Sequence, residues 1–275
     1  YDGATTEAMG GKFQDGFLSS LRYHAIFSGA KILGDYVVSY FSQANVNGIG
    51  GVSNAEHKKL WNAGYVAHDM LNDGKIDPNQ LDLPDGWKFL YFERKGNLDY
   101  AMFENQTRGI RLQSFVGTQL NNGFIKGDWG DDFRQGLGLH VQQYDDAIAS
   151  AINEKSIANA AGYSFVINGH SLGGGLASAA AAVTGSPAAI YNAAGLHPNT
   201  LRYAGFTSAI QNMGKNIVSY SVGFEILTTG QHLLATIAPV ASASNNYMYS
   251  PDLKTWKDFL PWELHRPDAT MRSIR

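Results

Sequence analysis

Tyr163-Ser-Phe-Val-Ile-Asn-Gly-His-Ser-Leu-Gly-Gly-Gly175 decides the fold of this chain. Its first half is a short apolar run of β-strand composition. It ends in Gly169-His170-Ser171-Leu172-Gly173, and the alanine-rich run Leu176–Ala182 follows. Strand, Gly-x-Ser-x-Gly, helix is the nucleophile elbow of a serine hydrolase. Such a serine sits in a strained tight turn, and Gly169 and Gly173, two residues to either side, let the strand and helix backbones approach closely. The turn exposes the Ser171 hydroxyl at the carboxyl edge of a sheet. It also aims the Leu172 N–H, at the start of the helix, toward the oxygen that turns negative during acyl transfer. Gly-x-Ser-x-Gly by itself also describes an ordinary glycine-rich turn; the strand before it and the helix-forming run after it favour the catalytic reading.

Working outward, Trp87–Glu93, Leu98–Asn105 and Gly109–Val116 have strand composition. The turns Lys95-Gly-Asn97 and Gln106-Thr-Arg-Gly109 separate them, which predicts an antiparallel meander. A helix is predicted from Asn54 to about Leu71, with Ser53 or Asn54 as its cap. A longer one is predicted from about Asp132 to Glu154. After the elbow, Ala188–Asn192 and Asn216–Val222 read as strands and Asn199–Met213 as a helix. That alternation predicts an α/β fold with a mostly parallel central sheet, antiparallel N-terminal strands and helices on both faces. No repeat or low-complexity linker divides the chain. Residues 1–275 therefore read as one domain, with a mainly helical N-terminal elaboration over 1–86 and a catalytic core over 87–275.

Composition narrows the chemistry. Lys and Arg number 21 against 24 Asp and Glu, a formal net charge of -3, so no electrostatic footprint for nucleic acid exists. There is no cysteine, which excludes disulfides, thiol catalysis and zinc–thiolate sites. The most hydrophobic long stretch, Phe17–Phe41, is interrupted by Arg22, His24, Lys31 and Asp35, with Gly29 and Gly34. It reads as a helical pair packing on the body, or as a lipid-facing cap, and not as a membrane span. The chain begins at Tyr1 with no secretory signal in Asp2-Gly3-Ala4-Thr5, which fits a processed product or a domain of something larger. Asp69, Asp73, Gly74 and Asp77 approach calcium-loop spacing, but Leu71 and Gln80 occupy the third and twelfth ligand positions, so no metal is assigned. Asp128, Asp131 and Asp132 read as helix-capping and local pairing.

Ser171 is a weak nucleophile until a base takes its proton, and that base needs a carboxylate to orient it. In α/β-hydrolase-like chains the order is serine, acid, histidine. Between Ser171 and Asp252 the only carboxylate is Glu225, just after the strand Asn216–Val222, where a triad acid belongs. Asp252 is the second candidate. His265, in Trp262-Glu-Leu-His-Arg-Pro267, suits the base by order and placement; His232 is the second candidate. His197 precedes any acid and reads as a loop anchor. His170 cannot turn back to the Ser171 hydroxyl and is expected to pack in the turn. The second oxyanion donor belongs on the loop after an earlier strand. Phe115-Val-Gly-Thr118 fits, with Gly117 making the turn and Thr118 offering its N–H.

Taken together these residues resemble the class 3 lipase family of α/β-hydrolases. Gly169-His-Ser-Leu-Gly-Gly174, the strand ending Phe115-Val-Gly-Thr-Gln119, the Gly127-Asp-Trp129 loop and the late His265 carry the resemblance, over roughly Trp87 to Ile274. The family usually has an arginine where Val116 stands, a change that leaves the Thr118 donor in place. Its acid is typically an aspartate where this chain has Glu225. Tyr191-Asn-Ala-Ala-Gly-Leu-His-Pro-Asn-Thr200 resembles bacterial members, including lipase-like domains delivered as phospholipase effectors. The resemblance implies an α/β-hydrolase-like fold, lipid carboxylic esters as substrates, no cofactor, and secretion or delivery with transient contact at a membrane surface. Phe124, Ile125 and Trp129, with Leu233–Val240 and Tyr247–Leu260, are the candidates for acyl binding or a lid. A soluble carboxylesterase or acyltransferase on a non-lipid acyl group is the alternative reading. A catalytically silent hydrolase fold used for binding is a third.

Overall fold

The computed structural model describes residues 48–117, 140–222, 241, 243–249 and 266–273. Seven strands form one sheet whose order follows the chain. They are β1 (Lys88–Lys95), β2 (Leu98–Asn105), β3 (Ile110–Phe115), β4 (Ser164–His170), β5 (Ala188–Tyr191), β6 (Ile217–Val222) and β7 (Asn245–Tyr249). The first two pairings are antiparallel and the remaining four are parallel. Both faces are covered by helices. On one side lies α1 (Asn54–Asn72); on the other lie α2 (Gln142–Ala160) and α3 (Leu172–Thr184). This is the α/β-hydrolase-like architecture expected from the sequence.

Two-sided burial explains why β4 is buried from Phe165 to His170 and carries the run Phe165-Val-Ile167 instead of alternating apolar and polar residues. Phe165 and Ile167 enter the core under α2 and α3, while Val166 points into the core under α1. In β6, Ile217 faces the first of these cores, whereas Val218, Tyr220 and Val222 turn to the other face. β1 is the sheet's charged edge: Glu93, Arg94 and Lys95 are exposed, and a register shift breaks its pairing between Phe89 and Tyr91. Charge and a bulge both discourage another strand from adding there.

Ser53 caps α1 by accepting the Glu56 N–H, and the Glu56 carboxylate accepts the Ser53 N–H in return. Burial pushes the Glu56 pKa up, but the hydrogen bonds from Arg108, Ser53 and Trp87 outweigh it and hold the group at about 2. The buried face of α1 carries His57, Leu60, Trp61, Gly64 and Tyr65, a helical spacing that lays one stripe on the sheet. His57 is fully buried, its Nε2 3.2 Å from the Ile49 carbonyl oxygen. Burial lowers its pKa from 6.5 to about 4, against the smaller opposing effects of Ile49 and Glu56.

That shift has a consequence for stability. Between these two values the unfolded chain binds a proton that the folded chain refuses, so stability falls as pH drops through this window. We expect His57 alone to make the protein about 2 kcal/mol less stable at pH 5 than at pH 7. Urea unfolding of the wild type and His57→Gln at both pH values checks this. An equally steep loss in the variant would remove His57 as the cause.

Several boundaries differ from the sequence reading. The helix expected over Asp132–Glu154 begins at Gln142, after an extended Val141, and runs on to Ala160; 132–139 lie outside the described residues. Glu154 does not end it. Its carboxylate is buried and accepts the Tyr91 and Tyr100 hydroxyls at 2.6 and 3.2 Å, so it acts as an interior residue. The helix expected over Asn199–Met213 is two pieces, α4 (Pro198–Tyr203) and a 3-10 turn over Thr207–Asn212. Gly205, with φ +85°, turns the chain between them, and the Phe206 N–H closes back on the Leu201 carbonyl at 2.7 Å. Tyr247–Tyr249, part of a stretch read as acyl-binding or lid, belong to β7 and pair with β6. A short C-terminal helix, α5 (Pro267–Ser273), has no counterpart in the sequence reading. Phe17–Phe41 and Leu233–Val240 lie outside the described residues. Among the described residues no helix is long and apolar enough to cross a membrane.

Candidate active site

β4 delivers the chain to Ser171 and α3 carries it away, so the serine is the hinge between them. Ser171 has φ 58° and ψ −128°, a backbone region that costs a residue with a Cβ about 1–3 kcal/mol. The surroundings hold it there. The Ser171 N–H donates to Tyr191 O on β5 at 3.0 Å. Its carbonyl accepts the N–H groups of Gly174, Gly175 and Ala194 at 2.9, 3.2 and 3.0 Å. The turn is therefore pinned from inside the helix and from the strand beside it. Ser171 itself is 7% exposed, at the floor of the sheet's carboxyl edge and not on the open surface.

The glycines are spacing devices. A Cβ on Gly169 would lie 2.2 Å from Gly173 O, and one on Gly173 would lie 2.4 Å from Phe115 O and 2.8 Å from the Gly117 nitrogen. A Cβ on Gly117 would meet His170 O at 2.4 Å and the Tyr65 hydroxyl at 2.6 Å. Strand β3, its following loop and the elbow thus pack backbone against backbone. The sequence motif marks Gly169 and Gly173 but misses two more. Gly174 and Gly175 clear the Ala193 side chain and the Tyr144 hydroxyl, where a Cβ would stand 2.5 Å away in each case. Consecutive glycines at a helix start, where they cost helix propensity, are the available signal.

Register shows what else arrives at this edge. Phe115 is paired with Gly169, His170 with Tyr191, and Tyr191 with Tyr220, all in parallel strands. The carboxyl ends of β3, β4, β5 and β6 therefore share one edge. Leu172 opens α3 directly after Ser171. Thr118 follows Gly117, the last described residue of its loop; Glu225 lies three positions beyond the end of β6, and His265 two before the start of α5. Thr118, Glu225, His265, Phe124, Ile125 and Trp129 all lie outside the described residues, as do His232, Asp252, Asp128, Asp131 and Asp132.

The other histidines near the elbow have structural partners. His197 caps α4, its Nδ1 accepting the Asn199 N–H at 3.1 Å, and burial followed by Arg202 lowers its pKa. His170 is 1% exposed and stacks on Trp61 with ring centroids 5.0 Å apart and planes 10° apart. Tyr65 meets it edge-on at 5.9 Å, with its hydroxyl 3.3 Å from Nδ1.

The arrangement is a strained, buried serine at a sheet edge, with backbone N–H groups at a helix start beside it, which suits acyl transfer. Residues 66–260 match the Tle-like phospholipase domain family. An extracellular phospholipase A1 of Serratia liquefaciens is 38% identical over 134 residues, 48% of this chain and 41% of that protein. The alignment thus spans less than half of the relative's length. Among solved structures, a Rhizomucor miehei lipase propeptide complex is 11% identical with a TM-score of 0.47, covering 80% of this chain and 77% of that one. A Yarrowia lipolytica lipase is 12% identical with a TM-score of 0.44, covering 72% and 77%. Matched over most of its length, sheet and elbow included, the chain belongs to the Tle-like phospholipase domain family.

Proposed function

We propose that this chain hydrolyses a fatty acyl ester of a phospholipid, by a phospholipase A-type reaction through a Ser171 acyl-enzyme. The strained Ser171 turn between β4 and α3 is the observation that carries the reading. In the mechanism, His265 takes the Ser171 hydroxyl proton as Oγ attacks the ester carbonyl carbon. The Leu172 and Thr118 N–H groups receive the oxyanion, each donor contributing about 3 kcal/mol to the transition state. Glu225 holds the imidazolium in register. As the tetrahedral adduct collapses, His265 returns the proton to the leaving lysophospholipid oxygen. Water then enters, gives its proton to His265, and releases the fatty acid and Ser171. No step asks for a metal or organic cofactor.

Cleavage at the first glycerol position is proposed from the Serratia relative, whose name specifies phospholipase A1. That relative is extracellular, which supports secretion or delivery of this chain. A phospholipid substrate in a bilayer requires transient contact with its surface, and Phe124, Ile125 and Trp129 are proposed to serve there.

Product mass spectrometry tests the reading. The substrates are vesicles of phosphatidylcholine bearing different chains at its two positions, a triacylglycerol emulsion and a short soluble ester, with Ser171→Ala and His265→Asn in parallel. Fatty acid from the first position, with a lysophospholipid retaining the second chain, is expected from wild type and from neither variant. Turnover of the short ester alone would make it a soluble carboxylesterase. No Ser171-dependent product would overturn the assignment.

A further inference from the structure

One buried run of polar contacts beneath the elbow ties together three segments that the chemistry needs at once. We propose that Thr270 and Asn192 are positioning residues. They lock α5 to the elbow and to the end of β6, and so set where the chain holds His265 relative to Ser171. The inference rests on His265 being the base.

Thr270 is fully buried and its Oγ1 has three partners. Asn192 Nδ2 donates to it at 2.8 Å, the Arg266 carbonyl lies 3.1 Å away, and His170 Nε2 lies 3.5 Å away. A threonine hydroxyl has one proton to give. Given to Arg266 O, it leaves the oxygen to accept from Asn192 and from a protonated His170 Nε2. His170 Nδ1 then carries no proton and accepts the Tyr65 O–H, so every member of the run has a role that matches its neighbour's. Arg266 directly follows His265. The carbonyl that Thr270 holds is therefore one residue from the base.

Asn192 makes the second tie. It has φ 41°, unusual for a residue with a side chain, and is fully buried. Its N–H donates to Tyr220 O at 2.8 Å, and its Oδ1 accepts the Val222 N–H at 2.8 Å. Val222 ends β6, three residues before Glu225. One amide side chain thus grips the strand that leads to the acid and the helix that follows the base. The other end of the run is immobilised by the Trp61 ring stacked on His170. A seven-residue helix such as α5 has too few turns to hold itself in place, so these contacts locate it.

Packing alone would predict something different from positioning, and two substitutions at one site separate them. Thr270→Val keeps the shape and removes the oxygen; Thr270→Ser keeps the oxygen and removes the methyl. Asn192→Gly keeps the backbone freedom that φ 41° needs and removes both side-chain bonds. The readouts are the rate constant for Ser171 inactivation by a fluorophosphonate, kcat and KM on a short soluble ester, and the thermal midpoint.

We expect Thr270→Val and Asn192→Gly to lower kcat and the inactivation rate about 10- to 100-fold with KM within about twofold of wild type. Thr270→Ser should recover most of the rate. Wild-type rates in Thr270→Val, or Thr270→Ser as slow as Thr270→Val, would overturn the proposal in favour of simple packing. Should Thr270→Val fail to fold, Asn192→Gly decides by the same readouts. A wild type that does not react at Ser171 would overturn the functional assignment itself. A reactive wild type with unaffected variants would overturn only the positioning role.

Discussion

Ser171→Ala is expected to lower kcat for ester hydrolysis by about 10⁵- to 10⁶-fold, because removing the proposed nucleophile leaves only substrate binding and the proposed oxyanion donors. Ser171→Gly should be equally inactive, yet the two variants should differ in stability in a direction that the backbone geometry sets. Both lack the hydroxyl; only one retains a Cβ. At φ 58° and ψ −128° that Cβ is strained, so glycine relieves about 1–3 kcal/mol and returns part of it through its greater freedom in the unfolded chain. Ser171→Gly should therefore be more stable than Ser171→Ala by about 1 kcal/mol, read as a difference in urea midpoint at equal m-value. An alanine variant as stable as the glycine one would show that the turn is relaxed. The comparison tests whether strain is stored at the nucleophile, independently of any substrate.

Gly173→Ala should destabilise the protein by about 3 kcal/mol and lower kcat about 100-fold. The new methyl would stand 2.4 Å from Phe115 O and 2.8 Å from the Gly117 nitrogen. Both neighbours are backbone, so no side-chain rotation relieves the clash. The end of β3 must move off α3, and that carries Gly117 away from the elbow. Gly185→Ala, at the far end of α3, is the control. Unlike Gly173, it has a left-handed φ, of +70°, but nothing lies within 4 Å of the position a Cβ would take. It should lose about 1 kcal/mol through backbone strain alone and keep its kcat. If Gly173→Ala behaved like Gly185→Ala, the close packing of β3 on the elbow would not be what holds the site together.

Local chemistry makes much of this fold legible in the order of residues alone. β2 occupies Leu98–Asn105 as its composition and flanking turns predict, and β3 differs by a residue at each end. Ser53 is one of the two caps expected for α1 and is the one used. The elbow is legible for the same reason: a glycine on each side of a serine, between a strand pattern and a helix pattern, satisfies a steric requirement within one short stretch. Where expectation and structure part, a longer-range partner outweighs the local pattern. Glu154 looks like a helix end because a carboxylate suits solvent, and two tyrosines from β1 and β2 bury it instead.

The triad partners follow from chain order, a rule about connectivity that needs no distances, and Glu225 and His265 remain assignments of that kind. What tertiary structure alone decided lies beneath the serine. His170 meets Tyr65 across 105 residues of sequence and Thr270 across 100, and Asn192 reaches Thr270 across 78. No periodicity, cap or turn signal links residues so far apart. A buried hydrogen bond depends on where two backbones finally lie, and only the closed sheet brings them together. Ser171, Gly169 and Gly173 are legible because their steric requirement is local; the hydrogen bonds and backbone contacts that β3, β5 and α3 make around the turn exist only once the sheet is assembled.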